Sequence, residues 1–160
     1  MATSAITSTK SSTGAKPVIR QSKPSDVKHV VALGKDTLKE RWFSPMVLHS
    51  VLKWNPKTCW VLELDGWIIG ARFVFDDKPR AWGWGVVIHP NFRRQGYGRM
   101  LFEETNKKLK KLGYRILLSE QNVKNRASVE WHEKVGFRKI AEIPKFHDGG
   151  ETAALYCYQL

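Results

Sequence analysis

Cysteine is scarce in this chain, acids are outnumbered, and no apolar run is long. Among 160 residues the only cysteines are Cys59 and Cys157, which form no CxxC pair and are too few for a disulfide framework. A chain of this length buries a core without such staples, and a reducing, cytoplasmic setting is expected. The most apolar stretch, "WIIGARFVF", is too short to span a bilayer. The N-terminal "MATSAITSTKSSTGAKP" has no apolar segment of the kind a signal peptide requires. Residues 1–16 are instead expected to be a disordered tail, followed by one domain over residues 17–160.

Several nucleotide and metal signatures are also missing. The phosphate loop GxxxxGK followed by Ser or Thr does not occur, and Gly83-Trp84-Gly85 meets Ile88 where a dinucleotide fingerprint needs its third glycine. A zinc-binding HExxH at His132-Glu133 fails because Gly136 stands in place of the second histidine. His29, His49, His89 and His147 show no ligand spacing, so no metal is expected.

What the chain has in excess is positive charge. Lys and Arg number 27 against 15 acids, for a net charge of +12. Eight of the basic residues fall in residues 93–115, against two acids. Such a concentration points to an anionic partner, although the lysines of "NKKLKKLG" also read as a solvated helix face. Nucleic acid is one such partner. The seven Trp and seven Phe, however, fall mostly in apolar strand-like runs, where core packing accounts for them.

The hydrophobic periodicity lays out a mixed α/β domain. "PVIRQ" reads as a strand. "SKPSDVKHVVALGKDTLKE" reads as a capped helix with Val27, Val30, Val31, Leu33 and Leu38 inward, and "SPMVLHSVLKW" as a second helix opened by Ser44-Pro45. "CWVLELDGWIIGARFVF" is two strands about an Asp65-Gly66 turn, and "RAWGWGVVI" is a third. From Gly96, Leu101, Thr105, Leu109 and Leu112 recur at helical spacing. "YRILLSE" is then a strand, "NRASVEWHEKVG" a helix closed by Gly136, and "FRKIAEI" and "TAALYCYQL" are the last strands. The order is βααβββαβαββ.

The segment "VVIHPNFRRQGYGRM" passes from strand to helix through two glycines and three arginines. Such a turn aims the unpaired N–H groups of a helix N-terminus at one spot, where the helix dipole favours an anion. Gly96 and Gly98 clear side chains from that spot, and Arg93, Arg94 and Arg99 add planar guanidinium groups suited to phosphate. The turn is a candidate diphosphate cradle; the plainer reading is a tight turn that needs glycine for its backbone alone.

"VVIHPNFRRQGYGRMLF" resembles motif A of the GNAT family of N-acetyltransferases, with its Arg-x-x-Gly-x-Gly signature on Arg93, Gly96 and Gly98. "NRASVEWHEKVGF" resembles the family's motif B at a compatible distance. The resemblance covers roughly residues 17–160. It implies a GNAT-like fold: a central, mostly antiparallel sheet of about seven strands with splayed middle strands, flanked by about four helices. It also implies acetyl-CoA as co-substrate, with the pantetheine beside Val87 and Ile88. The diphosphate would lie on Arg93, Arg94, Gln95, Gly96, Tyr97, Gly98 and Arg99, and Asn125 and Ser128 would face the far side of the same arm.

Attack by an amine requires its neutral form, which is rare at neutral pH for a lysine of pKa near 10.4. Glu120 ends "ILLSE" where several protein-acetylating members place a glutamate base; a strand-end carboxylate in a salt bridge is the alternative. His132 occupies the position where many members carry a tyrosine that protonates the departing thiolate, and a packed core histidine is the alternative there. Trp42, Phe43, Trp82 and Trp84 read either as walls of an acceptor channel or as plain core. A basic surface disfavours cationic acceptors unless acids such as Asp76, Asp77 or Glu120 line the mouth, so a protein N-terminus or a lysine on an acidic partner is the expected acceptor. Neither cysteine lies in a motif for carrying an acetyl group, which implies direct attack in a ternary complex. The competing reading is a basic nucleic-acid-binding module with a vestigial CoA site. A monomer or a homodimer is expected.

Overall fold

The computed structural model describes residues 16–34 and 44–160. The first fifteen residues of the expected tail, Leu38 of the first expected helix, and Trp42 and Phe43 lie outside the described residues. Within them the order is β1 (Val18–Gln21), α1 (Val27–Gly34), α2 (Pro45–Trp54), β2 (Cys59–Leu64), β3 (Trp67–Asp77), β4 (Arg80–Ile88), α3 (Tyr97–Lys111), β5 (Ile116–Asn122), α4 (Arg126–Lys134), β6 (Arg138–Ile143) and β7 (Ala153–Gln159). This is the order expected from the sequence.

Local chemistry explains the element boundaries. Ser44 caps α2 by accepting a hydrogen bond from the Val47 amide, and Pro45 occupies the first helical position, where no amide is needed. Asp65 and Gly66 both adopt positive φ, 51° and 77°, the requirement of a two-residue hairpin turn between paired Leu64 and Trp67. Asn125 caps α4 by accepting from the Ser128 amide.

The seven strands form one sheet in the order β1-β2-β3-β4-β5-β7-β6. Every pairing is antiparallel except β4 with β5. Strand alternation divides the core into two layers. Cys59, Val61, Ala71, Phe73 and Val87 pack against Val30, Leu33, Leu48 and Val51 of α1 and α2. Trp60, Leu62, Val74, Leu117 and Tyr156 face the other way, toward Leu101, Phe102 and Leu109 of α3. Each buried Leu or Phe of this kind stabilises the fold by about 1.5–3 kcal/mol.

One buried cation crosses that second layer. Arg72 of β3 is 2% exposed and donates to the Phe102 carbonyl at 2.9 Å, to Asn106 Oδ1 at 2.8 Å and to the Thr105 hydroxyl. Its guanidinium also lies over the Phe102 ring, 4.6 Å from the centroid. Burial pulls its pKa down to about 9, which still leaves it charged at neutral pH. Arg72 thereby bolts α3 to the sheet.

The parallel pair decides where the chemistry sits. Strands β4 and β5 pair only through Arg80–Trp82 and Ile116–Leu118. Beyond that point β4 stays with β3 as far as Ile88, and β5 stays with β7 as far as Asn122. The two strands therefore part, and their C-terminal halves border an opening in the middle of the sheet. The parting coincides with a bulge: Val74 faces Gly83 and Phe73 faces Gly85, so Trp84 is the extra residue of β4 at that point.

Candidate active site

The cradle forms at the end of β4. The chain leaves Ile88, makes a single helical turn at Pro90–Phe92 and enters α3 through residues 93–96. Arg94 and Gly96 adopt positive φ, 61° and 88°, and Gly96 is the residue that opens the helix. The first α3 bond runs from the Met100 amide to the Gly96 carbonyl, which leaves the amides of Tyr97, Gly98 and Arg99 without helical acceptors. Backbone N–H groups and a helix dipole converge here, as an anion requires.

The two glycines serve different ends. At Gly96 the left-handed backbone alone demands glycine. At Gly98 no such demand exists, and a Cβ there would meet only Ile88 Cγ1 at 3.6 Å, an ordinary contact. Neither packing nor backbone demands glycine at position 98, and its lack of a side chain leaves the approach to the amides open.

The arginines divide likewise. Arg94 is exposed on the loop, and Arg93 folds back so that its Nε donates to the Ile88 carbonyl at 2.9 Å. Gln95 donates to the Asn91 carbonyl, and the Tyr97 ring packs edge-on to Phe92. Arg99 turns toward α4. Its guanidinium donates to the Lys134 carbonyl at 3.2 Å and approaches Glu103 at 3.7 Å, so its side chain links α3 to α4.

Helix α4 runs along one side of the opening. Its first turn is tied to the splayed half of β5, where the Ser128 hydroxyl donates to Gln121 Oε1 at 2.6 Å. Its last turn is held by Arg99. Between them, His132 is 5% exposed and lies among the rings of Trp131, Phe137 and Tyr156. Its Nδ1 lies 2.7 Å from the Ser128 carbonyl, which can only accept, so the ring proton is on Nδ1. Nε2 then accepts from the Ser119 hydroxyl at 3.1 Å. Burial depresses the pKa of His132, against an upward pull from the Ser128 carbonyl, and the ring is neutral. Both ring nitrogens of His132 are thus engaged within the fold, Nδ1 with the Ser128 carbonyl and Nε2 with the Ser119 hydroxyl. The group it orients is Ser119, which stands at the parting of the strands, with its Cβ 4.0 Å from where a Gly83 Cβ would be.

Glu120 follows Ser119 on the strand and so points to the opposite face, toward α1 and α2. Its carboxyl is pushed up by burial and drawn back down by His147, whose Nε2 lies 3.5 Å from Glu120 Oε2. Trp84 shares that face, its ring 5.9 Å from Phe73 and 5.5 Å from Phe75. Asp76 and Asp77 do not line the opening. They sit in the β3–β4 hairpin beside Ala81 and Arg80, at the end of β4 where the parallel pairing is still closed.

With this geometry in view, comparison with known proteins is decisive. The sequence profile of the Acetyltransferase (GNAT) family matches residues 28–137. The chain belongs to that family. It is an acetyl-CoA-dependent N-acetyltransferase. A Bacillus subtilis (strain 168) protein provisionally described as a ribosomal protein bS18-alanine N-acetyltransferase is 25% identical over 142 residues, spanning 88% of this chain and 93% of that one. Among solved structures, Ard1 from Thermoplasma volcanium superimposes with a TM-score of 0.83 at 18% identity, covering 90% of this chain and 97% of the other. The ribosomal-protein-S18-alanine N-acetyltransferase from Escherichia coli gives 0.75 at 19% identity, covering 90% and 94%. Among the described residues no helix is long and apolar enough to cross a membrane.

Sequence reasoning missed Ser119, Gln121 and His147. The first two carried a signal: in "LLSEQN" the alternation of a strand puts Ser119 and Gln121 on one face and Glu120 on the other. His147 lies in the β6–β7 loop, where nothing in the local sequence points to Glu120.

Proposed function

We propose that this acetyltransferase modifies the N-terminal amine of a protein by direct attack in a ternary complex, with Glu120 as base. The observation that carries the reading is the two-faced opening. The cradle and the Ser119–His132 pair lie on the α3–α4 face, and Glu120 lies on the other. Acetyl-CoA and acceptor therefore approach the parting of the strands from opposite sides.

On the first side, the amides of residues 94–98, with Arg93 and Arg94, hold the diphosphate, while the β4 edge at Val87 and Ile88 guides the pantetheine. Asn125 and Ser128 fix the first turn of α4 beside it. On the second side Glu120 removes the proton that keeps the amine inert, and the free electron pair attacks the thioester carbon. The C–N bond forms, the C–S bond breaks, and the second proton lost by the nitrogen leaves with CoA as its thiol. Cys59 is unsuited to carry the acetyl group, since it is fully buried and burial pushes its thiol up to about 12. Two unpaired cysteines also suit a reducing, cytoplasmic setting. A protein N-terminus is favoured as acceptor by the likeness to alanine N-acetyltransferases and by a net charge of +12, which repels polyamines.

The test is incubation with labelled acetyl-CoA and a panel of peptides with free N-termini, lysine peptides with blocked N-termini, and small amines. Label entering the free-N-terminus peptides fastest is the expected result; preference for either other class overturns the acceptor. Tight binding of mixed-sequence DNA at physiological salt, steeply weakened by added salt and accompanied by no acetyl-CoA affinity, would favour the nucleic-acid reading instead.

A further inference from the structure

Among the described residues, four buried side-chain atoms have no hydrogen-bond partner: Ser22 Oγ, Asn106 Nδ2, Glu120 Oε2 and His147 Nε2. Two of the four face each other across 3.5 Å, one on β5 and one on the loop between β6 and β7. Buried polar atoms left without hydrogen bonds are costly, so a facing pair beside the opening calls for an explanation.

The loop is built to present the imidazole. The His147 amide donates to the Glu151 carbonyl at 3.1 Å, and the Gly150 amide donates back to the His147 carbonyl at 2.8 Å. Gly150 takes the positive φ, 77°, that this tight return needs. Phe146 stands edge-on to the ring at 5.4 Å. On the other side, Glu120 is fixed through its strand, opposite Leu155 of β7.

We propose that His147 is a positioning residue for acetyl transfer: it holds Glu120 Oε2 and so turns the other carboxylate oxygen, Oε1, toward the acceptor amine. The proposal rests on the reading of Glu120 as base. Oε2 is closed off from solvent, while the Glu120 side chain as a whole remains 29% exposed, so an acceptor reaches the carboxylate through Oε1. In the step itself the acceptor N–H bond breaks and an O–H bond forms at Glu120, and that proton later passes to water when the carboxylate is restored. The loop makes His147 a companion to a carboxylate that it orients without touching the substrate, the division of labour seen whenever a second group fixes a catalytic one.

The surroundings leave His147 as the group that acts on this carboxylate. On its own face of β5 the strand neighbours of Glu120 are Leu118 and Asn122, and across from it on β7 is Leu155. The loop contributes Lys145, His147, Asp148 and Glu151, and of these it is His147 that shifts Glu120.

Two measurements test the proposal on the whole protein. In the first, the protein is labelled at the glutamate carboxyl carbon, Glu120 is assigned with Glu120→Gln, and its titration is followed by NMR in the parent and in His147→Gln. The midpoint of Glu120 moves to higher pH when the histidine is removed; an unchanged midpoint overturns the coupling, whatever the acceptor is. In the second, turnover with an alanine-initiated peptide is followed against pH. His147→Phe lowers kcat about tenfold near pH 6.5, with the acid limb moved up and the KM for acetyl-CoA unchanged, and His147→Gln recovers part of the loss by restoring a donor. A His147→Phe profile that overlays the parent overturns the proposal. Normal turnover in Glu120→Gln would be a separate failure, that of Glu120 as base.

Discussion

Ser119 and His132 are locked together across the α3–α4 face, hydroxyl to Nε2 at 3.1 Å, with the histidine proton held by the Ser128 carbonyl. Replacing the ring by phenylalanine keeps the aromatic packing but leaves the buried Ser119 hydroxyl without its acceptor. His132→Phe should therefore cost about 2 kcal/mol and lower the melting temperature by roughly 4–8 °C at pH 7.5. The pKa of the folded histidine lies below its usual 6.5, so the unfolded chain takes up a proton first as pH falls. The parent loses stability below about pH 6.5 from this residue and the variant does not. The gap between their melting temperatures should narrow from pH 6.5 to pH 5; a constant gap would show that His132 is not held neutral.

Gly96 and Gly98 should separate fold from function. Gly98→Ala meets no obstacle and gains helix propensity, so the melting temperature should hold or rise slightly, by up to about 1 kcal/mol of stability. Its affinity for acetyl-CoA should nevertheless fall at least tenfold by calorimetry, as the methyl group covers the amides. Gly96→Ala should lose both, with the backbone strain costing about 1–2 kcal/mol. Unaltered affinity in Gly98→Ala would remove the cradle assignment.

Glu120→Gln should leave acetyl-CoA affinity within about twofold of the parent and lower turnover roughly 10²- to 10⁴-fold. Alkaline solution supplies neutral amine without a base, so the defect should shrink as pH rises from 6 to 9. Because burial raises the pKa of this carboxyl in the folded chain, the unfolded chain ionises first as pH climbs past 4.5. The parent gives up stability in that window, and Glu120→Gln should therefore be the more stable protein near neutral pH while being the slower enzyme.

Arg72 offers a test of the brace behind the cradle. Arg72→Met removes a buried charge but strands Asn106 Oδ1, while Thr105 keeps its bond to the Leu101 carbonyl, at a cost of about 2–3 kcal/mol, a fall of roughly 5–10 °C in melting temperature. Acetyl-CoA affinity measured well below the melting temperature should fall less than in Gly98→Ala, because Arg72 holds the middle of α3 and not its N-terminus.

The element order, the hairpin at Asp65-Gly66, the caps at Ser44 and Asn125 and the glycine-rich start of α3 were legible in the sequence, because each is written in the periodicity or chemistry of neighbouring residues. "RRQGYG" read as a helix opening with free amides for the same reason: the opening of a helix is a local event. The partners of the site were not local. That β4 takes β5 as a parallel neighbour, and that β5 then leaves it to follow β7, depends on pairings between residues more than thirty positions apart. The sheet then assigns Ser119 and Glu120 to opposite faces, and packing decides that His132 turns inward to the serine and that Arg99 reaches α4. Only the return of the chain from β6 to β7 brings His147 beside Glu120. Residue types and spacing carry the turns and the helix faces; which side chains meet across the opening is set by the free energy of burying both layers of the sheet at once, and that is decided by the tertiary structure.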